Sequence, residues 1–309
     1  MVSRVGLGLA ALGRPAYINL GREALPTVRT VDAMRAETWR VLDAGYAAGI
    51  RWVDVARSYG LAEEFLAGWL ADRGVSDLTV SSKWGYAYVG GWRTDADVHE
   101  VKEHSLARFT AQWAESRALL GDRIAVYQVH SLTTDSPVFT DWPLLEALAD
   151  LTANGVMVGF STSGAAQAEV VDRALALRVV GQPVFTAVQS TWNLLEPSVG
   201  PALVRARRAG AHVLVKETLA NGRLAVRSPA PLAEVAERHG VAPDAVAVAA
   251  VLSQPWADTV LLGPATPDQL SSNLQASAVR LTAEDQRQLA TLAESAAHYW
   301  SERSALAWH

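Results

Sequence analysis

Residues 143–162 read PLLEALADLTANGVMVGFST, and the two halves of this stretch follow different rules. The first half is amphipathic and stops on Asn-Gly, a helix followed by its stop signal. The second half, VMVGFST at 156–162, is apolar without alternation, so it reads as a strand buried on both faces. Strands of that kind belong to a parallel sheet covered by helices.

The same unit recurs along the chain. Apolar runs stand at 5–12 (VGLGLAAL), 51–56 (RWVDVA), 78–84 (LTVSSKW), 124–130 (IAVYQVH), 156–162, 185–191 (FTAVQST), 212–218 (HVLVKET) and 259–264 (TVLLGP). Between them lie amphipathic segments such as AEEFLAGWLADRG and LARFTAQWAESRALLG, several ending on Gly. Eight β/α units predict a closed (β/α)8 TIM barrel, an α/β fold, as a single domain over 1–309. The tail from about 282, LTAEDQRQLATLAESAAHYWSERSALAWH, reads as an extra helix with an aromatic end.

The 309 residues carry a net charge of −5, no basic stripe and no cysteine, which excludes disulfides and thiolate metal sites and argues against nucleic-acid or anionic-membrane partners. The N-terminal apolar run is broken by glycines and falls short of membrane length, so a cytoplasmic protein is expected. Oligomeric state leaves no trace in the sequence.

In a parallel barrel the chemistry sits at the C-terminal ends of the strands. Polar residues there are Asp54 and Tyr59 after the second strand, Lys83 on the third, His130 on the fourth, Ser161 and Thr162 on the fifth, Gln189 in the sixth, and Lys216 with Glu217 on the seventh. Taken singly, each has a structural explanation: a cap, a snorkelling lysine, a core histidine. Taken together, Asp54, Tyr59, Lys83 and His130 fall at one barrel face and form an acid/base unit. A lysine held by a carboxylate makes a phenol, with an ordinary pKa of about 10, a better acid, and a histidine can orient the substrate oxygen.

Two letter patterns lack their context. GLGLAA at 6–11 matches a dinucleotide fingerprint, but two prolines follow instead of a helix. His99 and His104 are five apart, with no helical i, i+4 pair or HExxH, so no metal site is expected. Among the 11 tryptophans, most sit in helical stretches as packing. Trp84, Tyr86, Tyr88 and Trp92 lie in a glycine-containing loop after the third strand, and with Trp192 and Trp308 they are candidate walls of a substrate pocket.

These residues resemble the aldo-keto reductase superfamily. DVARSYG at 54–60 is similar to its DxAxxYG, SSKWG supplies its third-strand lysine, and YQVHS its fourth-strand histidine. VMVGFSTSG, AVQSTWNLL and LLGPATPDQLSSNLQA continue the likeness in order over nearly the whole chain. The resemblance implies a (β/α)8 barrel and hydride transfer between a nicotinamide and an aldehyde, ketone or alcohol. Asp54, Tyr59, Lys83 and His130 would be the catalytic tetrad. Ser161, Thr162 and Gln189 would serve the carboxamide, Asn273 the adenine, and Lys216, Leu219, Gly263 and Gln269 further parts of the cofactor. The cofactor implied is usually NADP(H).

This chain also departs from the family pattern. Thr162 replaces an Asn, and Leu9 a frequent Thr. Residues 263–269 hold no Lys or Arg for a 2′-phosphate, which opens the way to NAD(H). VKETLANGRL at 215–224 aligns with AYSPLxxGxL, so Lys216 takes the place of a ring-stacking tyrosine. Three readings follow: a reductase in which Lys216 pairs with Glu217 or a phosphate and Trp192 supplies the aromatic face; a Schiff-base lyase or aldolase-like barrel using Lys216; or a non-catalytic, cofactor-sensing subunit.

Overall fold

A computed structural model describes residues 2–17, 20–21 and 26–308. Eight parallel strands form the barrel: β1 (Val5–Gly8), β2 (Trp52–Asp54), β3 (Thr79–Trp84), β4 (Ile124–Leu132), β5 (Met157–Thr162), β6 (Ala187–Thr191), β7 (His212–Lys216) and β8 (Thr259–Leu262). They pair in chain order, and β1 closes on β8 with Val5 opposite Val260 and Leu7 opposite Leu262. Every apolar run picked out in the sequence carries one of these strands. The first is shorter than its run, because Leu12 and Gly13 donate back to the Leu9 carbonyl and turn the chain away after Gly8.

Around the barrel stand α1 (Val31–Ala47), α2 (Ala62–Arg73), α3 (Leu106–Leu120), α4 (Trp142–Ala153), α5 (Gln167–Leu175), α6 (Gly200–Arg208), α7 (Ala230–His239), α8 (Pro243–Leu252) and α9 (Pro267–Leu274). Their boundaries follow from local chemistry. Asp141 caps α4 by accepting from the Leu144 amide at 3.1 Å, with Pro143 in the first turn, where no amide is needed. Gly74 ends α2 in a left-handed conformation.

The tail forms two helices where one was expected, α10 (Ala283–Ala290) and α11 (Ala296–Ser304). Between them the Glu294 amide donates to the Leu195 carbonyl, and Ser295 caps the new helix. Leu289, Tyr299 and Trp300 pack with Leu194, Leu195, Leu232 and Val246, which docks the tail beside the loop after β6. The aromatic stretch after β3 is an antiparallel hairpin, Tyr86–Tyr88 against Glu100–Lys102.

Inside the barrel an apolar layer of Val126, Ala187, Leu214 and Leu261 lies below a polar one. The polar layer consists of Asp54, Ser81, Gln128 and Gln189, all buried and joined by hydrogen bonds. A buried carboxylate is tolerable only when its oxygens are served in this way, and this layer is the floor of the site above it.

Candidate active site

Asp54 ends β2 with both oxygens engaged. Oδ1 accepts from Ser81 Oγ at 2.7 Å, Gln189 Nε2 at 3.0 Å and Gln128 Nε2 at 3.3 Å, while Oδ2 takes the Lys83 ammonium. Lys83 also donates to the Val55 carbonyl at 3.1 Å. Its side chain is fully buried, and desolvation draws its pKa down against the pull of Asp54. The ammonium is fixed at 4.8 Å from the centre of the Tyr59 ring.

Tyr59 sits on the turn between β2 and α2. Burial, and then Asp54, push its phenol well above 10, while Arg14 pulls the other way. The sequence reading expected Lys83 to lower this value; in the folded protein desolvation outweighs the neighbouring cations, and the phenol is firmly protonated. His130, on β4, meets Tyr59 edge-on with ring centres 5.5 Å apart. Burial and then Lys83 hold His130 well below 6.5, so its ring is neutral. Its Nδ1 lies 3.3 Å from Ser58 Oγ, and its carbonyl accepts from His104 Nε2 at 2.8 Å. Asp54, Tyr59, Lys83 and His130 are thus brought together.

Asp54, Tyr59 and His130 open onto a cavity of about 520 Å³, which continues past Gln189, Lys216 and Leu219 to Gly263, Gln269 and Asn273. Ser161 and Thr162 are fully buried at the end of β5. Ser161 Oγ accepts from the Ser131 amide at 2.8 Å, and Thr162 Oγ1 lies 2.8 Å from Ser190 Oγ and donates to Gln167 at 3.2 Å. At the far end Gln269 Oε1 accepts from the Ala265 amide at 2.8 Å. Asn273 and Ser272 both donate to Asp244 at the start of α8, at 2.6 and 2.9 Å.

Lys216 donates to Thr191 Oγ1 at 2.8 Å and lies 3.4 Å from Glu217, whose carboxylate accepts from the Nε–Nη2 edge of Arg303 from α11. Burial lowers Lys216 to about 8 against the opposing effect of Glu217. Glu217 is held down at about 2, because Arg303 and Lys216 overcome its own desolvation. Glu217, Ala220 and Asn221 all take positive φ, near 50°, a costly backbone for side chains of this kind. Asn193 Nδ2 helps hold the turn by donating to the Glu217 carbonyl at 2.9 Å.

The proposed aromatic walls divide. Tyr86 and Trp308 line the cavity. Trp84 does not: it is fully buried against Phe109 and His104. Trp92 faces Phe65 and donates to the Arg29 carbonyl at 2.8 Å, and Trp192 packs on Trp256 in the core and does not line the cavity. The sequence reading passed over Arg14, Tyr17, Glu100, Asp244 and Arg303, which also line the cavity. Except for Glu100, on the hairpin after β3, they come from loops and helix ends, and none lies on a barrel strand whose register marks a side chain as inward-facing. The cavity lining suits a nicotinamide dinucleotide in its chemistry: amide side chains at Gln189 and Asn273, cations at Lys216 and Arg303, and open space where a side chain at Gly263 would stand.

Comparison with known proteins agrees with this picture. The family model "Aldo/keto reductase family" matches residues 5–294. "Aldo-keto reductase str7" of Strobilurus tenacellus is 26% identical, the match covering 95% of this chain and 90% of that protein. "Protein tas" of Escherichia coli (strain K12) is 25% identical over 78% of this chain and 84% of its own length. A D-threo-aldose 1-dehydrogenase of Pseudomonas sp is 26% identical over 80% and 85%. The holo form of an aldo-keto reductase from Bacillus halodurans shares the fold, with a TM-score of 0.68 at 22% identity over 95% of this chain and 93% of that one. A barrel closed in chain order and a family match over almost its full length lead to one assignment: the chain belongs to the aldo-keto reductase family.

Proposed function

We propose that this protein is an NAD(P)(H)-dependent oxidoreductase that interconverts an aldehyde or ketone with its alcohol, Tyr59 giving and taking the proton. The observation that carries this reading is the gathering of Asp54, Lys83, Tyr59 and His130 at one end of the cavity. A nicotinamide bound there would supply or accept the hydride. Tyr59 protonates the carbonyl oxygen in the reductive direction, and Lys83, kept in place by Asp54, stabilises the phenolate left behind. Neutral His130 can donate from Nε2 to the same oxygen and so fix the carbonyl's direction.

For Lys216, engagement by Thr191 and Glu217 supports an anchoring role towards a cofactor phosphate. A Schiff-base nucleophile would need the amine free, so borohydride trapping with a carbonyl compound is expected to give no adduct. At the adenosine end, the Asp244 carboxylate and the lack of Lys or Arg among Gly263, Pro264, Gln269 and Asn273 favour NAD(H), against the NADP(H) that resemblance alone implies.

Tyr59→Phe is the deciding variant. It should lower kcat by about 10²–10⁴-fold while quenching of tryptophan fluorescence by the reduced cofactor is retained. Unchanged turnover in that variant would refute the role given to Tyr59.

A further inference from the structure

Arg14 is a buried cation whose presence the proton-transfer chemistry does not explain. It follows β1 in the turn LGRP, and only 2% of it is exposed. Nη1 is spent, donating to the Ser58 carbonyl at 3.0 Å and to Glu100 Oε1 at 2.7 Å. The other edge is not: Nε is buried without an acceptor, and Nη2 makes no hydrogen bond among the described residues. Three rings hold the guanidinium in position, with its carbon 4.7 Å from the centre of the Trp308 ring, 5.1 Å from Tyr17 and 5.2 Å from Tyr59.

An unpaired N–H in such a place carries a standing penalty that an acceptor would relieve. Because the guanidinium lies directly against the Tyr59 ring and lines the same cavity, it can serve an atom close to the one Tyr59 protonates. Two hydrogen bonds of about 2.8 Å, one from each residue, suit two oxygens on adjacent carbons.

We propose that Arg14 is a specificity-determining residue: its Nη2 receives an oxygen borne on the carbon next to the reacting carbonyl, so the preferred substrates are α-oxygenated carbonyl compounds. The acceptor can be a hydroxyl or a carboxylate, since both present lone pairs to a guanidinium N–H. The idea rests on the reductase reading above, with Tyr59 at the carbonyl.

The test compares kcat/KM for lactaldehyde and glyoxylate with that for propanal, in the native protein, Arg14→Met and Arg14→Lys. The native enzyme should favour an oxygenated substrate by 10-fold or more. Arg14→Met should lose at least 10-fold more on that substrate than on propanal, and Arg14→Lys should fall between. A parallel equilibrium measurement does not need turnover: binding of propane-1,2-diol, lactate and propan-1-ol with reduced cofactor present. The native protein should prefer the diol or lactate, and Arg14→Met should lose that preference.

The diol and lactate arms separate a neutral from an anionic acceptor. A native preference near unity in both measurements, or one that survives in Arg14→Met, overturns the proposal. Failure to reduce any of the three carbonyl compounds counts against the reductase reading, while the binding ratios still decide the role of Arg14.

Discussion

Tyr59 and His130 are displaced from their ordinary pKa values in opposite directions, and both shifts begin with burial. The signs make a joint prediction. A phenol held above 10 stays protonated through neutrality, so reduction should show no loss from Tyr59 ionisation between about pH 6 and 8. His130 is already neutral there and should add no inflection near 6.5. Oxidation of the alcohol needs the phenolate, so its rate should climb with pH across the same range. Pre-steady-state rates measured in both directions against pH check this, and a histidine inflection near 6.5 would contradict it. Asp54, Lys83 and His130 could be singled out in the sequence because a strand register fixes their direction, and Tyr59 because it follows Asp54 by five residues in DVARSYG. Ser161 and Thr162 obey the same register, but the partners they meet, the Ser131 amide on one and Ser190 and Gln167 on the other, are ones that no spacing reveals.

Among the elements, the two loops that carry Arg14 and Tyr59 are packed backbone to backbone. The Leu61 amide donates to the Gly13 carbonyl at 2.7 Å, and a β-carbon on Gly13 would lie 2.1 Å from the Tyr59 carbonyl. Gly13→Ala must therefore push the loops apart, at a cost of about 1–3 kcal/mol or more, and should lower both Tm and kcat. Loss of Tm with full activity would show that Tyr59 does not depend on this contact. At the far side of the cavity, α8 and α9 meet through Asp244. Fluorescence titration should find NADH bound at least as tightly as NADPH; clearly tighter NADPH would place the 2′ position away from Asp244. The hairpin after β3 and the second tail helix escaped the sequence reading for one reason. Both depend on contacts distant in the chain, such as Glu294 with Leu195, where local periodicity is silent.

Across the whole molecule, the barrel and the tail are tied by the Glu217–Arg303 pair, deep enough for its charge state to matter to stability. Glu217 has a folded pKa near 2 against an ordinary 4.5. Its stabilising contribution is therefore complete above about pH 4.5 and disappears as pH falls towards 2. Glu217→Gln should be less stable at pH 7 and show a flatter decline of Tm below pH 5. An unchanged acid profile would mean that the pair contributes nothing to the fold. The barrel itself was legible because its β/α unit repeats and each strand is buried on both faces. The tail's attachment was not, since a single arginine in an amphipathic helix gives no sign of which distant carboxylate it will meet.

The ends of the described chain lie at opposite poles. Arg4 is fastened to carbonyls of Leu252, Gln254 and Ala257 beneath β8, whereas Trp308 stacks on His99 with ring centres 4.7 Å apart and covers Arg14. Affinity tags and surface immobilisation are therefore not equivalent at the two ends. A bulky label attached beside Trp308 would disturb the wall of the cavity, while one attached beside Arg4 would leave the mouth of the barrel untouched.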